Sequence, residues 1–301
     1  MTPTQVKLPG AADYGWLALL GVIWGLSFTF IKIAVSTIPA IPMTISRLAV
    51  ASFAMLALMT IMRERFPPWG RIWIFIALSA VFGNALPFLL IAWGEEGVEG
   101  ALAAILMSPS PLFAAVLAHL LTTDDKLNRH KLAGVAVGVA GVAVLMGIDN
   151  LFRLGADWKH QLAILAAGFS YALNVVITRW LTGGSPVANV TAVICVSVLM
   201  LTPLLLIPDL WSFQPSNASI AAIVTLAILS TAVGTLLLLK LVKRQGSAFT
   251  AQVNFLVPVF GVISGALLLG ERPSARSIAG LALILAGVAI ARRGAGLRPA
   301  K

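Results

Sequence analysis

Apolar and polar positions divide the chain into ten apolar runs, at residues 15–36, 42–62, 71–93, 98–121, 130–148, 161–181, 187–207, 218–241, 247–269 and 275–292, with short polar breaks between them. A bilayer core takes roughly 20 apolar residues of helix, so each run is of membrane-spanning length. The runs are rich in Ala, Leu and Gly and lack the two-residue alternation of a transmembrane strand, which argues against a β-barrel. The pattern predicts an all-α polytopic membrane protein of ten transmembrane helices, with no soluble domain or long linker. The first run is too long for the apolar core of a signal peptide and shows no convincing small-x-small cleavage site, so it is read as retained.

Composition agrees. Hydrophobic residues make up 59% of the chain and charged residues 11%, with a mean hydropathy of +0.97, whereas a soluble domain is about a quarter charged. Charge then orients the spans. With the N-terminus in the cytoplasm, fifteen of the 21 Lys and Arg residues fall in cytoplasmic segments, among them Arg63, Arg65, Lys126, Lys243, Arg244 and Arg293. The outer loops hold four, Arg153, Lys159, Arg272 and Arg276, and the remaining two are Lys32 and Arg47. An excess of Lys and Arg in short loops marks the cytoplasmic side, so both termini are expected there. The net charge of +10 is accounted for by basic loops beside an anionic leaflet and calls for no nucleic acid. Cys195 is the single cysteine, which rules out an intramolecular disulfide and leaves it as a packing residue.

A shift of 146 residues lays Gly100 on Gly246, Asp125 on Glu271, Lys126 on Arg272, Gly134 on Gly280 and Gly141 on Gly287, with Pro111 and Pro258 matching to within one residue. A shift of 145 lays "LALLGVIWG" (17–25) on "LAILAAGFS" (162–170), so Trp24 meets Phe169 and Gly25 meets Ser170. The chain therefore reads as two five-helix repeats, 15–148 and 161–293, between short cytoplasmic segments 1–14 and 294–301. Five is odd, so the second repeat enters from the opposite side and the two form an inverted pair. That arrangement is found in secondary transporters, which hold substrate near the midplane between the halves.

Trp24-Gly25, Phe28 and Lys32, then a proline loop and Arg47 early in the second run, resemble the opening of an EamA-type repeat of the drug/metabolite transporter superfamily. "LGERPSARSIAGLALILAGVAIARR" (269–293) is similar to the ending of its second repeat. The resemblance covers nearly the whole chain. It implies a ten-helix exporter of small metabolites in the bacterial cytoplasmic membrane, and within the family it is nearest to the YddG-like exporters of aromatic amino acids, which are also linked to methyl viologen efflux. Amino acids, and cationic drugs of the methyl viologen type, are thus the implied ligands.

Lys32 and Arg47 stand in almost wholly apolar sequence near the expected outer ends of their spans. Two readings stay open. Long stems can lie in hydrocarbon while the charges snorkel to headgroups or helix-end carbonyls. Alternatively one cation faces an outer vestibule, drawing in a carboxylate or pairing with Glu95, Glu96 or Glu99 as a gate. If both cations met at mid-depth, an organic anion or phosphate ester would be the substrate.

Prolines mark the expected hinges. Pro111 removes an amide opposite the Met107 carbonyl and Pro258 one opposite Asn254, a broken turn in each repeat. In lipid the freed carbonyls need partners. "MSPSPLF" offers Ser108 and Ser110, and "AQVNFLVP" offers Gln252 and Asn254. With Trp24, Ser27, Phe28, Asn84, Tyr171, Asn174, Thr231 and Thr235, these form the expected substrate site, a mildly polar lining with aromatic surface suited to an amphiphilic ligand. Each polar member could equally be interhelical glue. Glycine patterns such as Gly21-xxx-Gly25, Gly134-xxx-Gly138 and Gly261-xxx-Gly265 allow close helix approach, and a homodimer through such faces is open to the chain. No carboxylate is expected near the middle of a span, so a proton relay is not evident, and His119, the one histidine within a span, is expected near a membrane interface. No HExxH, phosphate-binding loop or carboxylate cluster occurs, so no metal or cofactor is expected and an enzyme or scaffold is the weaker alternative.

Overall fold

The computed structural model describes residues 9–123, 126–146 and 158–293, and among these every regular element is a helix. The first repeat holds α1 (Ala11–Val35), α2 (Ala40–Ile61), α3 (Ile72–Ala80), α4 (Leu86–Gly97), α5 (Gly100–Met107), α6 (Ser110–Leu121) and α7 (Arg129–Met146). The second holds α8 (Trp158–Ile177), α9 (Pro186–Leu201), α10 (Asn217–Thr225), α11 (Gly234–Thr250), α12 (Val253–Leu269) and α13 (Ala275–Arg293). Two π-helical segments interrupt this pattern. Val81–Ala85 joins α3 to α4, and Leu226–Val233 joins α10 to α11. They start 145 residues apart, the same shift that aligns the first span with the sixth.

Among the described residues eight helical stretches are long and apolar enough to cross a membrane: 11–35, 40–61, 72–97, 100–121, 158–180, 186–206, 217–247 and 275–293. The other two expected runs coincide with α7, of 18 residues, and α12, of 17. Local chemistry sets the ends. Pro186 opens α9 in the first turn, where its missing amide costs nothing, and the Ser185 hydroxyl accepts the Ala188 N–H at 3.1 Å. Ser216 caps α10 in the same way through Ser219 N at 3.1 Å. Gly270, at φ 67°, ends α12 in the left-handed conformation that glycine adopts without strain.

Helix packing depends on missing side chains. A Cβ on Gly287 would stand 2.6 Å from the Gly134 carbonyl oxygen and 2.8 Å from Gly138 N, so α7 and α13 cross backbone to backbone. A Cβ on Gly25 would stand 2.6 Å from Phe260 Cβ and 2.9 Å from Gly261 N, which brings α12 equally close to α1. These are the glycine faces that left a homodimer open. They are used up within the chain, because a residue without Cβ lets two helices share van der Waals contact along the backbone. The main core lies between α1, α4, α5, α8 and α10, where Ile31, Ile91, Ile105, Ile164 and Ile223 are buried together.

Candidate functional site

The two π segments organise the polar residues of the interior. A π turn has an extra residue and poorer hydrogen-bond geometry than an α turn, and such bulges recur at functional sites. Trp24 Nε1, midway along α1, donates to the Ser230 carbonyl in the second segment at 3.1 Å, and Ser27 Oγ donates to Ser230 Oγ at 2.9 Å. Ser170 Oγ, on α8, donates to the Phe82 carbonyl in the first segment at 2.8 Å. Ser170 is the position that the 145-residue shift lays on Gly25. Each repeat's first helix therefore clasps the π segment of the other repeat.

Arg47 stands between these clasps and is only 6% exposed. Its Nε donates to Thr231 Oγ1 at 3.1 Å, and Thr231 Oγ1 donates to the Leu226 carbonyl at 3.0 Å within the π segment. The guanidinium lies over the Phe88 ring at 4.0 Å. Among the described residues no carboxylate stands within the 4.0 Å of an ion pair with it. A guanidinium has five N–H donors, and Thr231 takes one of them. The Tyr171 phenol lies within electrostatic reach of Arg47 and packs against core residues of both groups around it. Asn84 Nδ2 donates to Ser197 Oγ at 3.3 Å. Asn174 packs against Gly83 of the first π segment, and its buried Oδ1 has no hydrogen-bond partner.

Contacts thus link Trp24, Ser27, Arg47, Asn84, Tyr171, Asn174 and Thr231 around the two π segments, with Phe88 as the aromatic floor. Phe28 points elsewhere and is buried against Gly261. Ser108 Oγ donates to its own Ile105 carbonyl at 2.6 Å, and Ser110 Oγ to the Gly168 carbonyl on α8 at 2.9 Å, both holding backbone. Thr235 is half-buried in the first turn of α11, two residues past the second π segment. Gln252 caps α12, and Asn254 is exposed in its first turn, donating to the Ala251 carbonyl at 3.1 Å. This pair sits near the end of the bundle that holds Asp13 and Arg244, not at mid-span.

The expected hinges also move. Helix α5 ends at Met107, Pro109 is the N-cap of α6, and Pro111 lies in the first turn of α6, where no amide is needed. Pro258, itself buried, lies inside the continuous α12, and the second repeat is interrupted instead at Ala251–Gln252, ahead of that helix. The two breaks are about one turn out of register under the repeat shift, the first falling at Ser108–Pro109 and the second at Ala251–Gln252.

Lys32 and Arg47 do not meet. Lys32 Nζ donates to the carbonyls of Glu95 and Val98, both at 2.7 Å, and so caps the C-terminal end of α4. Glu96 Oε1 accepts the Ala40 N–H at 2.8 Å at the start of α2. Glu271 accepts the N–H groups of Gly100 and Ala101, both at 2.8 Å, and so caps α5 from the other repeat. Its repeat mate Asp125 lies outside the described residues. Glu95 itself is 0% exposed and neither carboxylate oxygen has a partner. At the opposite end Asp13, 4% exposed, accepts from Arg244 Nε at 2.9 Å and Gln245 Nε2 at 2.8 Å. His119 lies in the last turn of α6, where its Nδ1 accepts the Leu127 N–H at 3.3 Å.

The EamA-like transporter family matches this chain twice, over residues 13–147 and 158–293. A "Probable amino-acid metabolite efflux pump" of Salmonella typhimurium is 29% identical over 92% of this chain and 93% of its own. A "Probable terminal-alkyne amino-acid exporter" of Streptantibioticus cattleyicolor is 27% identical over the same shares, 92% and 93%. A solved crystal structure with 18% identity superposes on 96% of this chain and 99% of its own with a TM-score of 0.63, which shows a common fold. The chain is a multi-pass membrane protein and belongs to the EamA-like transporter family.

Proposed function

We propose that this protein exports amino acids from the cytoplasm across the bacterial cytoplasmic membrane, with aromatic and other large apolar side chains as the best fit, by alternating access between two inverted five-helix repeats. In this reading α7 and α12 also cross the membrane, which makes ten spans, and both termini lie in the cytoplasm, as the basic loops demand. The amino-acid exporters among its relatives support the substrate class.

One observation carries the reading. Arg47 is a buried cation at the level of Trp24, Ser27 and Ser230, midway along α1, with no carboxylate in ion-pair contact among the described residues and with unused donors. A buried charge is tolerated when it is paired or when it serves a ligand. A substrate carboxylate can take the free donors as a bidentate pair, while Trp24, Tyr171 and Phe88 present aromatic surface to its side chain. Because Lys32 is committed to the α4 carbonyls, the site has one cation to offer, which suits a singly charged carboxylate better than a phosphate ester.

At one end Asp13 joins the repeats through Arg244 and Gln245; at the Glu95 end they are joined by Glu271 on α5. This is the outer end in the proposed topology, so the outer gate is shut. The reading is tested by expressing the protein in a bacterial host and challenging it with a toxic phenylalanine analogue. Raised tolerance, with less analogue retained in the cells, is expected; unchanged retention at confirmed membrane expression refutes the export reading.

A further inference from the structure

Glu95 is the buried group that the proposed substrate site does not use. It lies within the last turns of α4, at the closed outer end, with 0% exposure. Neither carboxylate oxygen receives a hydrogen bond. An ionised carboxylate has only acceptors, so it needs donors at both oxygens; a neutral carboxyl can use one oxygen as a donor to a nearby carbonyl. Burial of an unpaired carboxylate is costly enough that such groups neutralise instead.

Two cations lie near Glu95, and neither bonds its carboxyl. Lys32, on α1, is the nearest cation, yet its ammonium bonds the backbone carbonyls of Glu95 and Val98, both at 2.7 Å, and not the carboxyl. Arg47, from α2, lies within electrostatic reach but bonds Thr231 at 3.1 Å and covers Phe88. Glu271, which follows α12, also lies within reach and already accepts two backbone N–H groups of α5 at 2.8 Å, so it adds a like charge. From α8, the His160 ring is tilted against Trp93 at 4.9 Å between centroids and lies against Gly97, another face of α4. On α4 itself Glu96 is tied to Ala40 N at 2.8 Å, and the exposed Glu99 starts α5.

We propose that Glu95 is a proton-binding site of the outer gate: its carboxyl is neutral while the gate is shut, and it loses the proton when the gate opens and admits water. Ionised Glu95 then draws Lys32 away from the α4 carbonyls, which frees the α4–α5 turn that Glu271 of the other repeat holds. The sign follows. The shut gate binds the proton and the open gate releases it, so the shut population falls as pH rises, by at most about tenfold per pH unit for one proton. After substrate leaves, a proton arriving from outside resets the gate. The inference rests on the alternating-access reading for the identity of the gate.

The test uses full-length protein in nanodiscs with spin labels at Ser36→Cys and Ser274→Cys, two exposed positions at the outer ends of α1 and α13, one in each repeat, on a Cys195→Ser background. Double electron–electron resonance should give a short distance at about pH 5.5 and a growing long-distance population towards about pH 8.5, the sense in which a released proton shifts the equilibrium. Glu95→Gln should hold the short distance at both pH values, and Glu95→Asp should restore the response. In the unlabelled wild type, the infrared C=O stretch of a protonated carboxyl should disappear over the same range. A Glu95→Gln protein that opens with pH like the wild type overturns the proposal. If that variant does not fold, absence of the protonated carboxyl band in the wild type overturns it equally. Labels that move with phenylalanine but not with pH remove the proton site and leave alternating access standing, whereas labels that move with neither remove both.

Discussion

Substitution of Arg47 by Met separates a residue that binds from one that holds the fold. The side chain loses the 3.1 Å bond to Thr231 and the stacking on Phe88 at 4.0 Å. A hydrogen bond to a charged group contributes about 1.5–3 kcal/mol, and a desolvated cation–π contact about 2 kcal/mol. Against these stands the burial of a cation with no acidic partner, which costs several kcal/mol. The opposing terms are of similar size, so the empty protein should keep its stability to within about 1–2 kcal/mol. Binding behaves differently. A carboxylate that loses its charged partner at this depth loses about 2–4 kcal/mol, or roughly 30- to 700-fold in affinity. Labelled phenylalanine binding to purified protein gives the affinity, and thermal melting without ligand gives the stability. Unchanged affinity refutes the assignment of Arg47 as the carboxylate site. A stability loss of about 3 kcal/mol or more with affinity kept, as for a broken buried pair, marks Arg47 as structural instead.

The remaining predictions use the same two readouts. Lys32→Met removes two bonds to the α4 end and should lower the melting stability by about 2–3 kcal/mol. Gly287→Ala puts a methyl group 2.6 Å from a backbone oxygen of α7 and should cost about 1–3 kcal/mol or more, since backbone cannot step aside. Asn174→Ala should raise KM several-fold in phenylalanine transport and Asn254→Ala should leave it unchanged, because Asn174 packs on a π segment and Asn254 serves its own helix turn.

Hydropathy made the membrane fold legible, because spans of apolar sequence leave little else for the chain to do. The repeat was visible at single positions, and the structure adds that its 145-residue shift also relates the two π segments. Those segments were not legible: "VFGNA" and "LAILSTAV" differ in every polar feature, and an inserted residue in a helix turn has no compositional signature. Proline was read as the hinge signal, yet Pro111 sits where helices tolerate it and Pro258 does not break its helix. Lys32 bonds helix-end carbonyls, whereas Arg47 is buried against Phe88 and Thr231, which only the tertiary fold brings to it. Glu95 was read as part of a polar break, since Gly94, Glu95, Glu96 and Gly97 interrupt the apolar run. Helix α4 continues through all four, and periodicity along it turns Glu95 inward while Glu96 stays exposed.

The central claim is carrier-mediated movement of amino acids, and counterflow tests it most directly. Liposomes carrying the purified protein are preloaded with phenylalanine, and uptake of labelled phenylalanine is measured with tryptophan, methionine, threonine, methyl viologen or a sugar phosphate as competitors. Transient accumulation that tryptophan and methionine block, and that the sugar phosphate does not, is the predicted result; methyl viologen should compete weakly, since Arg47 repels a dication. No accumulation in folded, correctly inserted protein would contradict the amino-acid assignment, and block by the sugar phosphate would replace it with an anion exchanger.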